Sequence, residues 1–350
     1  METPPDHKHN FRASIRAGQS RSFFGVNPGV LLGFLLLTAF LWLTTPSFHQ
    51  FSTIQNLLQQ VSINVIISVG MTFVIITAGI DLSVGSIQGF VGTITAMTLM
   101  SVGLVMRFGN GVMVFAVLAG AIAGLLVGLV NGIVIAGLRI QPFVATLAAM
   151  WAFRGFAEVI TNGSPIGTVS PNAPIAALRN TILQNRFTML GMGYVGPIPL
   201  SALAALAAVL IGHLLLSRTM FGRHVYALGG NPEATRLSGI NVKKVKLQVY
   251  MLSGLLSGVA GVLLMSKLVS GQPTAGQGYE LYSIAAVVLG GSSLFGGQGS
   301  IPGSAIGALI IGIIDMGLDL HGVSSYWQQI VTGALILLAV LLDQMTKKTV

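Results

Sequence analysis

The sequence contains no cysteine, which excludes disulfides and thiolate metal sites. Charge is nearly as scarce: Asp, Glu, Lys and Arg make up 8% of the 350 residues, against roughly 25% in soluble domains. A soluble chain of this length could not cover its surface with so few charges, whereas a surface facing lipid needs none and is penalised by them. No Gly-Lys dipeptide occurs, so the chain lacks a phosphate-binding loop of the G-x-x-x-x-G-K-[ST] type and cannot by itself bind and split ATP in the usual way. Neither H-E-x-x-H nor a Gly-x-Ser-x-Gly elbow is present. The six His are scattered, with His7, His9 and His49 in polar flanks. No catalytic residue, metal site or cofactor of the chain's own is expected.

What remains is apolar. Hydrophobic residues make up 53% of the chain, and 45 glycines accompany them; small residues let membrane helices approach closely. The expected fold is an all-α membrane protein, a polytopic bundle of about ten transmembrane helices with one or two of them interrupted. Stretches of ~20 apolar residues, the length a bilayer core requires, fall near 28–45, 54–78, 82–101, 111–137, 142–161, 199–217, 246–268, 281–295, 301–320 and 325–343. Glycine and short polar residues interrupt the pattern at 79–82 and 291–300. The first apolar run starts near Pro28 and continues too long for a cleavable signal peptide.

The net charge of +9 is unevenly placed. Lys8, Arg12, Arg16 and Arg21 lie in the N-terminal tail, a second group lies in 218–246, and Lys347 and Lys348 close the chain. These clusters flank apolar spans and lack an aromatic-basic face, so they signal topology and not nucleic-acid binding. With residues 1–27 as a cytoplasmic tail, Arg139, the 218–246 loop and the 346–350 tail also fall inside. Arg107, Arg179 and Arg186 fall outside, against the trend. Residues 28–345 then form one transmembrane domain. The longest external excursion is 162–198, with Asn162-Gly163-Ser164-Pro165, Pro171, Pro174, Pro197 and Pro199.

Intramembrane ionisable residues are costly unless paired or wetted. Asp81, within Gly79-Ile80-Asp81-Leu82-Ser83-Val84-Gly85, reads first as a helix cap and second as a substrate contact, and broken helices can combine both. Gly85-Ser86-Ile87-Gln88-Gly89 resembles Gly299-Ser300-Ile301-Pro302-Gly303, and each opens a helix after an interruption, as in transporter repeats. Arg154 and Glu158, at i and i+4, suit a structural ion pair. Asp315 and Asp319 share that spacing but repel. Near His321, at the outer end of the ninth span, they suit a wet vestibule. In the internal loop, Asn231 reads as an N-cap with Pro232 at the first helical position, Glu233 in the first turn and Gly239 as the stop. This short helix could lie on lipid or dock another protein.

Beyond these local readings, the chain resembles a known family. Tyr226-Ala227-Leu228-Gly229-Gly230-Asn231 and Ala234-Thr235-Arg236-Leu237-Ser238-Gly239-Ile240-Asn241-Val242 resemble the permease subunit of bacterial ribose-type ABC importers. Gly79 to Ser86, Thr161 to Pro165, Gln272 to Gly276, Gly278 to Leu281 and Gly322 to Tyr326 match in family order, so the resemblance covers about residues 50–345. It implies an inner-membrane protein with two permease subunits, expected as a homodimer, forming the path. ATP-binding cassettes would dock beneath, and a periplasmic sugar-binding protein would deliver a pentose, hexose or related polyol. ATP would be bound by the partner cassettes. The resemblance makes Glu233–Gly239 a coupling helix, with Asn231, Glu233, Ala234, Arg236, Leu237 and Gly239 as its contact residues. A sugar path wants hydroxyls, amides and aromatic faces. The candidates are Asn64, Ser68, Thr72, Asp81, Ser83, Ser86, Asn131, Asp315 and Asp319. The chain departs from the family at Tyr282, Asp315, Asp319 and His321, all towards the external side. A permease for branched-chain amino acids and a secondary transporter acting without ATP are the alternatives.

Overall fold

Apolar runs that must satisfy every backbone group internally fold as helices, and helices dominate the computed structural model, which describes residues 26–167 and 186–347. The basic residues of the N-terminal tail (Lys8, Arg12, Arg16, Arg21), together with Pro171, Pro174, Arg179 and Lys348, lie outside the described residues. In chain order the main helices are α1 (Pro28–Thr44), α2 (Phe51–Ile76), α3 (Val84–Met100), α4 (Val112–Ala136), α5 (Pro142–Thr161), α6 (Leu200–Arg218), α7 (Met220–Gly230), α8 (Pro232–Leu237), α9 (Val242–Leu268), α10 (Tyr279–Leu289), α11 (Ile301–Leu320) and α12 (Ser325–Lys347). Local chemistry sets several starts. Asn27 caps α1 by accepting from the Gly29 N–H at 3.0 Å, and Ser300 caps α11 through the Gly303 N–H at 3.1 Å.

Among the described residues, Phe51–Ile76, Gly103–Ala136, Pro142–Thr161, Leu200–Arg218, Val242–Leu268 and Ile301–Leu320 are each long and apolar enough to cross a bilayer. The chain is therefore a polytopic all-α membrane protein. Each expected span coincides with a helix, but the eighth does not reach its expected length. Helix α10 has only 11 residues, a rise of ~16 Å and about half a bilayer core. Its apolar run gives way to glycine and serine at 290–300. The interruption expected at 79–82 is present as a non-helical segment at 77–83. Helix α7 corresponds to none of the expected elements.

Helix α2 runs through the middle of the bundle, with Ile63, Ile66, Ile67, Met71 and Phe73 fully buried. The closest helix pair is α4 with α9, where Gly124 and Gly128 face Gly254 and Gly258. A Cβ on Gly124 would lie 2.7 Å from the Gly258 Cα, and one on Gly254 would lie 2.7 Å from the Gly128 Cα. These glycines bring the two backbones into contact. Outward-facing apolar side chains such as Leu35, Leu36, Leu43, Leu210 and Ile211 are exposed in the isolated chain, as lipid-facing positions should be. Outside the bundle, Ile166–Gly167 pairs antiparallel with Ser270–Gly271, which ties the segment after α5 to the C-terminal end of α9.

Candidate functional site

Three features bear on function, beginning with the segment between α6 and α9. Asn231 Oδ1 accepts from the Ala234 N–H at 3.0 Å, and Pro232 opens the helix. Glu233 pairs with Arg236 at 3.0 Å on the surface. Gly239 takes φ +81°, a conformation glycine adopts without the steric cost that a side chain brings. The caps read from the sequence are thus all in place. Leu237 is 79% exposed at the tip of this knob, an apolar side chain presented on a rigid, capped turn.

Helix α7 anchors the knob to the bundle. The Tyr226 hydroxyl donates to the Gly299 carbonyl at 2.7 Å, and the Gly297 N–H donates to the Ile76 carbonyl at 2.8 Å. Gly229 lies against both Ile76 and Gly297. The two interrupted segments, 77–83 and 290–300, therefore meet each other and α7 at one joint. Helix α7 was not legible in the sequence because Gly222, Gly229 and Gly230 lower its helix propensity; tertiary anchorage holds it.

The second feature is the 77–83 interruption. Asp81 is wholly buried. Its Oδ1 accepts from the Ser83 N–H at 3.0 Å and the Ser83 hydroxyl at 2.6 Å. Its Oδ2 accepts from Ser253 on α9 at 2.8 Å. Asn131 on α4 donates to the Ser83 Oγ at 2.8 Å, and Thr146 on α5 donates to the Ile80 carbonyl at 3.2 Å. Asp81, Ser83 and Asn131 thus form one knot joining four helices across the break. Asp81 thus turns the chain onto Ser83 just ahead of α3, and no side chain accepts from the free N–H groups at the start of that helix, which corrects the helix-cap reading. Ser86 closes back on the Ser83 carbonyl at 2.8 Å.

The third feature lies around the start of α10, where one cavity borders the turns at 273–278 and another borders α10 itself. One, of about 220 Å³, is lined by Trp151, Arg154, Glu158, Thr274, Gln277 and Glu280. The expected Arg154–Glu158 ion pair is not formed, and this corrects the sequence reading. The guanidinium donates instead to the Pro273 and Ala275 carbonyls at 2.6 and 2.7 Å. Those carbonyls belong to no helix or strand, and a planar guanidinium supplies the donors they need. The other cavity, of about 170 Å³, lies between α2, α10, α11 and α12. Its polar lining comprises Gln60, Asn64, Tyr279, Tyr282, Asp315 and Gln328. Asp319 sits beside it, accepting from Gln328 at 2.6 Å. Of the expected path residues, Asn64 and Asp315 line this cavity. Ser68 and Thr72 are buried on α2 at one- and two-turn spacings from Asn64, and Thr72 donates to Ser304 at 2.8 Å. The tyrosines, the two glutamines and Glu280 were not singled out as path residues. In the sequence Tyr282 stands out only as a departure from the family.

Residues 53–340 match a family described as branched-chain amino acid transport system / permease component. The chain is 45% identical to the ribose import permease protein RbsC of Escherichia coli (strain K12), over 89% of this chain and 92% of that relative. It is 46% identical to the ribose import permease protein RbsC of Bacillus subtilis (strain 168), over 90% and 92%. With the xylose transport system permease protein XylH of Escherichia coli (strain K12) it shares 36% identity, over 89% and 90%. No solved structure matches it.

Proposed function

The chain belongs to the branched-chain amino acid transport system / permease component family, and on that premise we propose that it is the permease subunit of an ATP-binding-cassette importer carrying a sugar. The observation that carries this reading is the capped α8 knob with its exposed Leu237, set between two long apolar helices, in a chain akin over nine-tenths of its length to ribose and xylose permeases. The family's description mentions amino acids, but the relatives at 36–46% identity are described by pentoses, which favours a pentose, a hexose or a related polyol as cargo.

In this reading α8 is the coupling helix, and Asn231, Glu233, Ala234, Arg236, Leu237 and Gly239 form or frame its contact with a cassette. ATP is bound by that partner, since the sequence has no phosphate-binding loop. Two copies of the chain pair in the bacterial inner membrane, with about ten crossings each and both termini cytoplasmic. A periplasmic binding protein hands over the sugar. Cassette closure pushes the paired knobs, and the push reaches the joint at Ile76, Gly229 and Gly297, where both interrupted segments can yield. The bundle then alternates between outward and inward openings as a rigid-body change. No nucleic acid takes part.

The test is ATP-driven pentose uptake by the complete assembly in proteoliposomes. Glu233→Ala and Gly239→Pro should each leave ATP hydrolysis running while uptake drops. Full uptake by Gly239→Pro, with normal subunit assembly, would remove α8 as the coupling element.

A further inference from the structure

The cavity between α2, α10, α11 and α12 carries an unmet demand for hydrogen-bond donors. Asn64 is 7% exposed, and its Oδ1 has no partner. Leaving such a buried acceptor unmet costs stability that a bound donor would restore. Asp315 adds a carboxylate, which can only accept when ionised. The Gln328 Nε2 is already engaged with Asp319 Oδ1 at 2.6 Å and the Val323 carbonyl at 3.0 Å, so this amide also turns an acceptor to new partners. Neither Lys nor Arg lines the cavity. The rings of Tyr279 and Tyr282 stand 6.3 Å apart at 47°, giving two apolar faces beside the acceptors.

We propose that this cavity is a binding site for a single small polyol, whose hydroxyls donate to Asp315 and Asn64 while its C–H face rests on the tyrosine rings. At about 170 Å³ it equals the volume of about five or six waters at ~30 Å³ each, which suits one pentose-sized molecule. A solute with a free carboxylate meets Asp315, with Asp319 one turn away, and no counter-cation in the wall. A sugar acid, anionic and with no ammonium of its own to offer Asp315, is therefore disfavoured and a neutral polyol accepted. The inference rests on the sugar-permease reading and assigns a site to it.

Saturation-transfer NMR on the full chain in nanodiscs, without binding protein, reads this site directly. D-ribose and D-xylose should give saturation transfer from wild type, and D-ribonate should not. Asn64→Leu and Asp315→Ala should each weaken pentose binding about tenfold, the equivalent of one charge-assisted or buried hydrogen bond. Asp315→Asn, which keeps one acceptor and the shape, should fall between. If Asn64→Leu or Asp315→Ala does not fold, Asn64→Ser and Asp315→Asn carry the comparison. Pentose transfer that is absent from wild type, or unchanged across the folded variants, or matched by D-ribonate, overturns the site. Pentose binding that follows these substitutions in an assembly without ATP-driven uptake would instead keep the site and reject the importer reading.

Discussion

Asp81 shows how much one polar atom can hold inside an apolar bundle. Its carboxylate receives two hydroxyls and one backbone N–H, from Ser83 and from Ser253. Asp81→Ala leaves those donors buried without an acceptor, at a cost of about 2–5 kcal/mol. The expected outcome is a lower melting temperature in detergent and less monodisperse protein, with Asp81→Asn affected less because the amide oxygen still accepts. Gly254 is constrained by space alone: its Cα faces Gly128 across the α4–α9 contact. Gly254→Val should destabilise by at least the 1–3 kcal/mol typical of overpacking, read in the same melts. The sequence located Asp81 at a break and suggested a cap. It could not reveal that the same carboxylate ties in α9, because Ser253 is 172 residues away.

At the scale of elements, the link between α7 and the interrupted segments matters most. Helix α8 is only six residues long and would transmit little if it hung on a loose loop. Helix α7 fixes it to Gly299 through Tyr226 and lies against Ile76 through Gly229. Tyr226→Phe removes one hydrogen bond of about 1 kcal/mol and keeps the ring. Uptake per ATP hydrolysed by the reconstituted assembly should fall about fivefold, with the assembly itself intact. The capping of α8 was legible from Asn231, Pro232 and Gly239 because caps depend on neighbours within four residues. Helix α7 was hidden because its stability comes from what it touches.

The whole molecule is a bundle of long apolar helices around a buried α2, with polar groups gathered at the two interruptions and around the start of α10. Such a bundle, with no ATP site legible in its sequence, should not move solute unaided. Purified chain in liposomes, loaded with D-ribose on one side, is expected to hold the gradient, and flux should appear only with the cassettes and ATP. A leak through the isolated chain would point to a transporter that works without them.

The sequence by itself determined the all-α membrane class, the place of each long apolar helix, both interruptions, the capped knob and the absence of a phosphate-binding loop. These are local properties, written in runs of apolar side chains and in residues a turn apart. Only the tertiary structure decided that α10 is a half-length helix, that Arg154 serves the Pro273 and Ala275 carbonyls, and that Asn64 and Asp315 share a cavity with Tyr279 and Tyr282. Those outcomes depend on which face of one helix meets which face of another. In a bundle whose faces are nearly all apolar, local periodicity carries little information about that choice.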